Sequence, residues 1–432
     1  MSFFDKMEEP IMVIGEKLNN NTILKILRDA FMLAFPLTIF GSITLVIANL
    51  PFLDKLLGAE KLAILQNMLN PASAVTMSIA TVFIVLGIGY YFSKDQEVDA
   101  LFGAAVALAA FLVLTPLEVV TENGEVVSNI FSIDRLGAKS MFVGMFAAFF
   151  SAALYCKFVK KNFVIKMPAS VPPAVSKSFA ALIPAILTLT IFLMVRIVFT
   201  FTPWGNIHDF VFQIVQAPLT SLGKGIIPTI IAIFAIQLLW FFGLHGQIIV
   251  NSVLDPIWNT LSLENIDAYR AGEMLPNIVT KQFMESFTVS LGGTGMTLVV
   301  LIIILTMMKS KQLRGVGKLA APAGIFNVNE PCIFGLPIVL NPTIAIPWIL
   351  APMVSTLVAY LAMATGIIPL TTGVSVPWTV PVFISGILAT NSIRGGLLQL
   401  VQMAIVGVIW FPFLKTWDKS ILTDEAAEQT ES

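Results

Sequence analysis

Stretches of about 20 residues with scarcely a charge recur from one end of this chain to the other, separated by short polar segments. Wound as an α-helix at about 1.5 Å per residue, such a stretch matches the roughly 30 Å hydrocarbon core of a bilayer. A water-facing surface cannot cover so many of them. Of the 432 residues 57% are hydrophobic and only 12% charged, against roughly 25% charged in a soluble domain. The fold class that follows is an all-α polytopic membrane protein. A net charge of −1 leaves no basic footprint for nucleic acid. Cys156 and Cys332 lie in or beside apolar segments without a CxxC pair, so neither a disulfide framework nor a metal site is expected, and no cofactor motif stands out. The opening MSFFDKMEEP lacks a short apolar core with a cleavage site. The first span is expected to direct insertion itself.

Residues 11–28 place apolar side chains at helical spacing with Lys17, Lys25 and Arg28 between them, which predicts an amphipathic surface helix. Spans follow near 30–50, 75–92, 101–117, 141–159, 179–202 and 226–250, with a second surface helix over 208–222. Lys6, Lys17, Lys25 and Arg28 precede the first span, and Lys157, Lys160, Lys161, Lys166 and Lys177 follow the fourth. The loop from Glu118 to Asp134 is acidic. Positive-inside counting places the N-terminus and the 157–177 loop in the cytoplasm.

The second half is less regular. A long mixed stretch precedes the apolar run 296–308, and a basic cluster (Lys309, Lys311, Arg314, Lys318) follows it. Two cytoplasmic basic clusters require an even number of crossings between them, which the simplest solution meets by making the stretch before Met296 partly re-entrant. Prolines and polar residues, among them Pro322, Asn327, Asn329, Glu330, Pro331, Pro337 and Pro342, then interrupt 320–342. Apolar segments resume near 347–368, 378–388 and 397–414. Broken backbone is tolerated at membrane depth only where protein or a watery cavity surrounds it. Transporters use such breaks to aim helix ends at a substrate. The first half therefore reads as scaffold and the second as the working part, and the acidic tail from Thr423 to Ser432 reads as disordered.

Ionisable residues inside spans usually face a pathway. His245 lies in WFFGLHGQIIVNS, flanked by Gly243 and Gly246, which would remove side chains that crowd a ligand. The plainer reading is a histidine bonded to neighbouring helices. His208, beside Trp204 and Asp209 at the membrane edge, fits that plainer reading better. Glu330 lies in GIFNVNEPCIFGLPIVLNP, where Pro331 biases it away from helical geometry; it is either a ligand-facing acid at a re-entrant tip or one pinned by a neighbouring cation. It is the one plausible intramembrane acid at such a site. Trp240 and Trp378 are interfacial anchors or flat faces for a pyranose, since indole joins an apolar face to one N–H donor. SLGGTG, with Gly292, Gly293 and Gly295, lacks the context of a nucleotide loop and suits close backbone packing. Arg394 is a cytoplasmic anchor or an anion partner.

Taken together, FGLHGQ, FNVNEPCIFGLPIVLNP and VPWTVP resemble the membrane-embedded IIC component of the bacterial sugar phosphotransferase system, in its lactose/cellobiose/diacetylchitobiose branch. The resemblance spans essentially the whole chain. It implies about ten transmembrane helices with two re-entrant hairpins. It also implies a scaffold and homodimerisation domain over 1–205, a connector helix over 206–225 and a disaccharide-binding transport domain over 226–420, before the 421–432 tail. On the same resemblance Glu330 and His245 carry the chemistry, and Trp240, Gln247, Asn251, Gly293, Asn327, Asn329 and Trp378 contact the sugar. Phosphorylation comes from a separate IIB protein bearing a phosphocysteine, fed by a IIA component. IIB is expected to dock on the cytoplasmic face near Lys157 and Lys309. The expected setting is the bacterial cytoplasmic membrane, with both termini inside. Two other classes stay open: a proton-coupled sugar symporter using Glu330, and an intramembrane enzyme acting on lipid-linked substrates through His245 and Glu330.

Overall fold

The computed structural model describes residues 13, 17, 20–48, 53–120, 125–168, 170–288, 291–336 and 338–431. The chain is predominantly helical and divides into two compact units. The first comprises Asn21–Leu45 and Gln66–Ser221; the second is built chiefly from Leu222–Ser432, with Val46–Leu65. Among the described residues five helices are long and apolar enough to cross a membrane: Leu56–Asp95, Ile133–Lys160, Pro173–Thr200, Pro342–Ala364 and Ile393–Thr423.

Of the surface helix expected over 11–28, residues 11, 12, 14–16, 18 and 19 lie outside the described residues, and its end is part of helix α1 (Thr22–Ala48), which Asn21 opens by accepting from the Leu24 amide. Helix α2 (Leu53–Thr76) was not anticipated, because its polar first half hides the helical pattern. Helices α3 (Ala80–Asp95), α4 (Ala100–Leu114), α5 (Met141–Lys160) and α6 (Pro173–Thr200) form the body of the first unit. Small residues let these helices approach closely: a Cβ on Gly89 would lie 2.9 Å from the Ala104 Cα.

Helix ends in this unit are closed by side chains, as they must be where water is scarce. At one end Asp99 accepts from the Leu101 and Phe102 amides and pairs with Lys177 Nζ at 3.0 Å. At the other, Arg196 donates to the carbonyls of Val113 (2.7 Å) and Thr115 (2.9 Å), where α4 ends. His208 is fully buried there, bonded to the Ser140 and Thr115 hydroxyls at 2.7 and 3.2 Å, and its ring packs near Phe111. It belongs to the packing of this unit. It sits on α7 (Ile207–Val211), which a single π turn joins to α8 (Ala217–Gly223). A short antiparallel hairpin, β1 (Glu118–Val120) with β2 (Val126–Ser128), occupies the loop after α4.

The second unit is made of shorter and broken helices: α9 (Ile226–Phe241), α10 (Gly246–Ala271), α11 (Lys281–Phe287), α12 (Thr297–Met307), α13 (Lys311–Gly324) and α14 (Glu330–Gly335). Helices α15 (Pro342–Ala364), α16 (Ile384–Thr390) and α17 (Ile393–Glu431) complete it. Three expectations fail here. Residues 226–250 are not one span, since α9 stops at Phe241 and α10 begins at Gly246. The segment 378–388 is not a span either; it is a run of turns that passes into the seven-residue α16. The acidic tail is not disordered, since α17 continues to Glu431. That end of α17 has a structural partner. Asp418 accepts from the Lys309 and Ser310 amides, and Glu425 from the Ser310 hydroxyl and the Lys311 and Gln312 amides, so two carboxylates cap the start of α13. The Gln312 amide and Ser310 hydroxyl hold the Glu425 carboxyl below its ordinary pKa.

Buried amides close the broken backbone. Asn265 donates to the carbonyls of Asn277 and Thr371 and accepts from the Asn277 amide. Gln399 accepts from the Phe383 and Gly386 amides and donates to the Ser286 carbonyl; Gln402 donates to the Phe287 carbonyl. Helix α15 packs between α9 and α17 with Trp348 and Trp410 fully buried, their rings 6.5 Å apart edge to face.

Candidate functional site

The corner between α9 and α10 places His245. Gly243, at φ +80°, turns the chain where other residues would be strained. A Cβ on Gly246 would run into the Ile236 carbonyl, so this glycine lets α10 start directly against α9. Both glycines therefore serve backbone geometry, not room for a ligand. His245 is the N-cap of α10 and its Nδ1 accepts from the Ile248 amide at 3.4 Å, which puts the proton of the neutral ring on Nε2. The Trp240 ring lies 4.4 Å from the His245 ring at a 49° tilt. Trp240 is only 3% exposed, and its Nε1 is buried with no hydrogen-bond partner among the described residues.

A second corner lies between α13 and α14. Asn327 adopts φ +64° and is buried; its Oδ1 accepts from the Gly292 amide at 2.8 Å. Its Nδ2 donates to the carbonyls of Trp378 (2.6 Å) and Val380 (3.0 Å). Asn329, also buried, donates to the Thr294 carbonyl at 2.8 Å. Gly293, at φ +87°, lies so close that a Cβ there would sit 2.5 Å from the Asn329 Cγ. Glu330 is the first residue of α14 with Pro331 inside the first turn, a position where proline's missing N–H costs nothing. The break therefore precedes Glu330, and Pro331 starts the helix instead of pushing Glu330 off it. The Glu330 side chain lies outside the described residues.

These corners are joined. Thr294 Oγ1 donates to Gln247 Oε1 at 3.1 Å, so the glycine loop bridges α10 to the Asn329 end of the second corner. Asn251, one turn beyond Gln247, has its oxygen 3.0 Å from Lys281 Nζ and its nitrogen 3.2 Å from the Gln247 carbonyl, in the amide orientation that satisfies both ends. Gln247, Asn251, Gly293, Asn327 and Asn329 thus fall on one network, with the Trp378 carbonyl held at its edge. The Trp378 ring is 48% exposed. His245 and Trp240 join through the start of α10.

Sequence reasoning missed three charged residues beside this network. Lys281 Nζ is 2.7 Å from Asp255 Oδ1 and 3.0 Å from Glu285 Oε1. Glu330 is therefore not the one acid of this region. The signal was present: Gln247, Asn251 and Asp255 recur every four residues along one helical face, and Lys281 and Glu285 share the same spacing. No metal-binding cluster occurs among the described residues.

Broken helices joined by side-chain amides, beside long apolar helices able to cross a membrane, define a polytopic membrane protein with a polar interior network. Residues 28–352 match the family model described as "Phosphotransferase system, EIIC", and the chain belongs to that family of membrane-embedded sugar permeases. Over 422 residues it is 58% identical to the oligo-beta-mannoside-specific EIIC component of Bacillus subtilis (strain 168), covering 98% of this chain and 96% of that protein. It is 38% identical to the cellobiose-specific EIIC component of Geobacillus stearothermophilus, covering 99% and 97%. It is also similar to the crystal structure of the transporter ChbC, the IIC component of an N,N′-diacetylchitobiose-specific phosphotransferase system. That match has a TM-score of 0.91 at 37% identity and covers 97% of this chain and 99% of the other.

Proposed function

We propose that this chain carries a β-linked disaccharide or short β-oligosaccharide across the bacterial cytoplasmic membrane and presents it to a phosphorylated IIB protein. The observation that carries the reading is the network from Asn251 and Gln247 through Thr294 to Asn329, suspended between helix starts that bear His245 and Glu330. The sugars named for the similar proteins (oligo-β-mannosides, cellobiose and N,N′-diacetylchitobiose) share β-linkage, which supports the substrate class. Trp240 and Trp378 pack against the pyranose faces, and the buried Trp240 Nε1 supplies an N–H donor.

In this reading Glu330 accepts the proton of the attacking sugar hydroxyl, a general-base role worth about 10²–10⁴-fold. His245, protonated on Nε2 when neutral, orients the same end of the sugar. Phosphoryl transfer depends mainly on positioning and on an in-line approach. The phosphate ester gains roughly 1.5–2 negative charges and binds poorly to a site made for an uncharged sugar. The basic residues Lys309, Lys311, Arg314 and Lys318 form the IIB landing surface on the cytoplasmic side.

Residues 1–205 act as scaffold and dimer interface and 226–420 as the transport domain, with about ten spans, two re-entrant hairpins and both termini cytoplasmic. Light scattering corrected for detergent should give about twice 46.9 kDa.

Asp255 and Glu285 around Lys281 favour one second reading, proton-coupled symport. Proteoliposomes separate the two. Without IIB, an imposed proton gradient should produce no uphill sugar accumulation; phosphorylated IIB on the cytoplasmic face should convert the sugar to its phosphate and retain it there. Proton-driven accumulation of free sugar would overturn the phosphotransferase mechanism.

A further inference from the structure

The amides on the polar face of α10 are engaged asymmetrically. Gln247 uses its oxygen to accept from Thr294 Oγ1 at 3.1 Å. Asn251, in the amide orientation that satisfies both of its ends, likewise sets its oxygen 3.0 Å from Lys281 Nζ. An ammonium offers only donors, so an Asn251 flip would set NH₂ against NH₃⁺. Lys281 is itself held, because Asp255 Oδ1 at 2.7 Å and Glu285 Oε1 at 3.0 Å take its other donors and its side chain is only 22% exposed. Both amides therefore turn their oxygens to protein donors, and their N–H groups are what they can give a ligand. Asn251 shares one of these with the Gln247 carbonyl. An amide nitrogen carries two hydrogens; among the described residues one at Asn251 is taken and none at Gln247, so this face has N–H groups to offer.

We propose that Lys281 and Thr294 are positioning residues that lock the Asn251 and Gln247 amides in one polarity, making the α10 face an N–H donor surface that reads acceptor oxygens of the sugar. Hydroxyls facing α10 accept, whereas the hydroxyl facing Glu330 donates. The polarity of each contact, and not only its presence, is then part of sugar selection. This inference rests on the sugar-site reading above, and it adds a specificity role for Lys281 and Thr294.

The test uses the purified full chain in detergent. Cellobiose and β-1,4-mannobiose are titrated first, then monodeoxy and monofluoro forms of whichever binds more tightly. Fluorine accepts weakly and cannot donate, whereas hydrogen does neither. At the hydroxyls facing α10 the fluoro sugar should bind more tightly than the deoxy sugar. That gap should vanish in Asn251→Asp at the hydroxyl that faces Asn251, since a carboxylate cannot donate, and persist at the one that faces Gln247; it should shrink in Lys281→Met and Thr294→Val. Lys281→Arg and Thr294→Ser should restore it. The sugar KM in phosphorylation by phospho-IIB should rise roughly 2–10-fold in Lys281→Met and in Thr294→Val, the worth of about one hydrogen bond, with kcat nearly unchanged. Lys281→Met leaves two carboxylates without their cation, so Thr294→Val supplies an independent arm if that variant folds poorly. A fluoro–deoxy gap of wild-type size in both Lys281→Met and Thr294→Val would overturn the locking role. An Asn251→Ala protein that binds every sugar like the wild type, or a wild type that binds neither disaccharide, would instead reject the sugar-site reading.

Discussion

The two units solve the same problem, polar backbone in an apolar setting, in opposite ways. In the first, helices run nearly whole and polar side chains are spent at their ends: Asp99 at the start of α4, Arg196 at its finish, His208 between two hydroxyls. In the second, helices stop inside the unit and amides finish what the backbone leaves open. Among the described buried Asn and Gln side chains, only Gln216 belongs to the first unit, while Gln237, Asn265, Asn277, Gln282, Asn327, Asn329, Gln399 and Gln402 belong to the second. Interrupting a helix creates orphan N–H and C=O groups, and each needs a partner. The same interruptions aim helix starts, with their positive dipole ends, at a common region. Breaks and amides are thus one feature, and the unit that carries them is the one proposed above to hold the sugar.

The largest expected effect tests whether chemistry resides in the broken unit. Glu330→Gln keeps size and one acceptor but removes the base, so phosphorylation should fall about 10²–10⁴-fold while sugar affinity changes little. Equilibrium binding and phosphorylation measured on one preparation separate the two quantities. Phosphorylation at the wild-type rate would remove Glu330 from the chemistry and leave the broken unit a binding domain only.

The next effect compares how the units are held. Asn265→Leu strips partners from the Asn277 and Thr371 carbonyls and from the Asn277 amide, and should cost about 2–5 kcal/mol. Ser140→Ala in the first unit removes a single 2.7 Å bond to His208 and should cost about 1 kcal/mol. Melting curves in one detergent would rank them. Equal shifts would mean that broken helices do not depend on their amides more than whole helices depend on their caps.

That contrast also decides what could be read from the sequence. Residues 141–159 and 179–202 announced themselves as continuous apolar runs, and α5 and α6 lie where the runs lie. The run 226–250 is just as apolar, yet Gly243, His245 and Gly246 break it, because a turn needs only a few residues and hydropathy averages them away. At the second corner the dense prolines and asparagines gave the break away, although the sequence put Glu330 off the helix instead of at its start. Helix α2 was lost to its mixed composition, and the end of α17 was read as disordered because its carboxylates have no local partner. Their partners, the amides at 309–312, are more than a hundred residues away. The four-residue spacing marked Asp255 and Lys281 each on its own helix, but not their pairing: no local pattern joins two residues 26 apart in the chain.

The tryptophans sharpen the comparison at a smaller scale. Trp240 is 3% exposed with its ring tilted against that of His245, whereas Trp378 is 48% exposed. Trp378→Ala should weaken sugar binding by about 1 kcal/mol with little change in melting temperature. Trp240→Phe keeps most of the ring and removes a buried N–H that has no partner among the described residues. It should weaken binding by a similar amount and leave stability level. If both variants bound sugar like the wild type, the rings would be packing and anchoring groups only.

The smallest effect belongs to the first unit and should be purely structural. Burial alone would raise the Asp99 carboxyl, but Lys177 and the amides of Phe102 and Leu101 outweigh it and hold the pKa below its ordinary value of 3.8. A carboxyl whose pKa is depressed by folding contributes stability that is complete above the unfolded value and is lost as pH falls through the folded one. The contribution of Asp99 should therefore be flat from neutral pH down to about pH 5 and fade below about pH 4. Lys177 is 64% exposed, so the pair is screened and should supply about 0.5 kcal/mol or less. Asp99→Asn retains an amide oxygen for the cap, which makes the expected loss smaller still. Melting curves of wild type and Asp99→Asn should differ slightly at pH 7 and converge toward pH 3. Sugar binding and phosphorylation should be unchanged at pH 7, since this residue closes a helix end in the unit of whole helices. A variant that transports poorly while melting normally would show that this end of α4 takes part in function, and the division of labour between the two units would fail at that point.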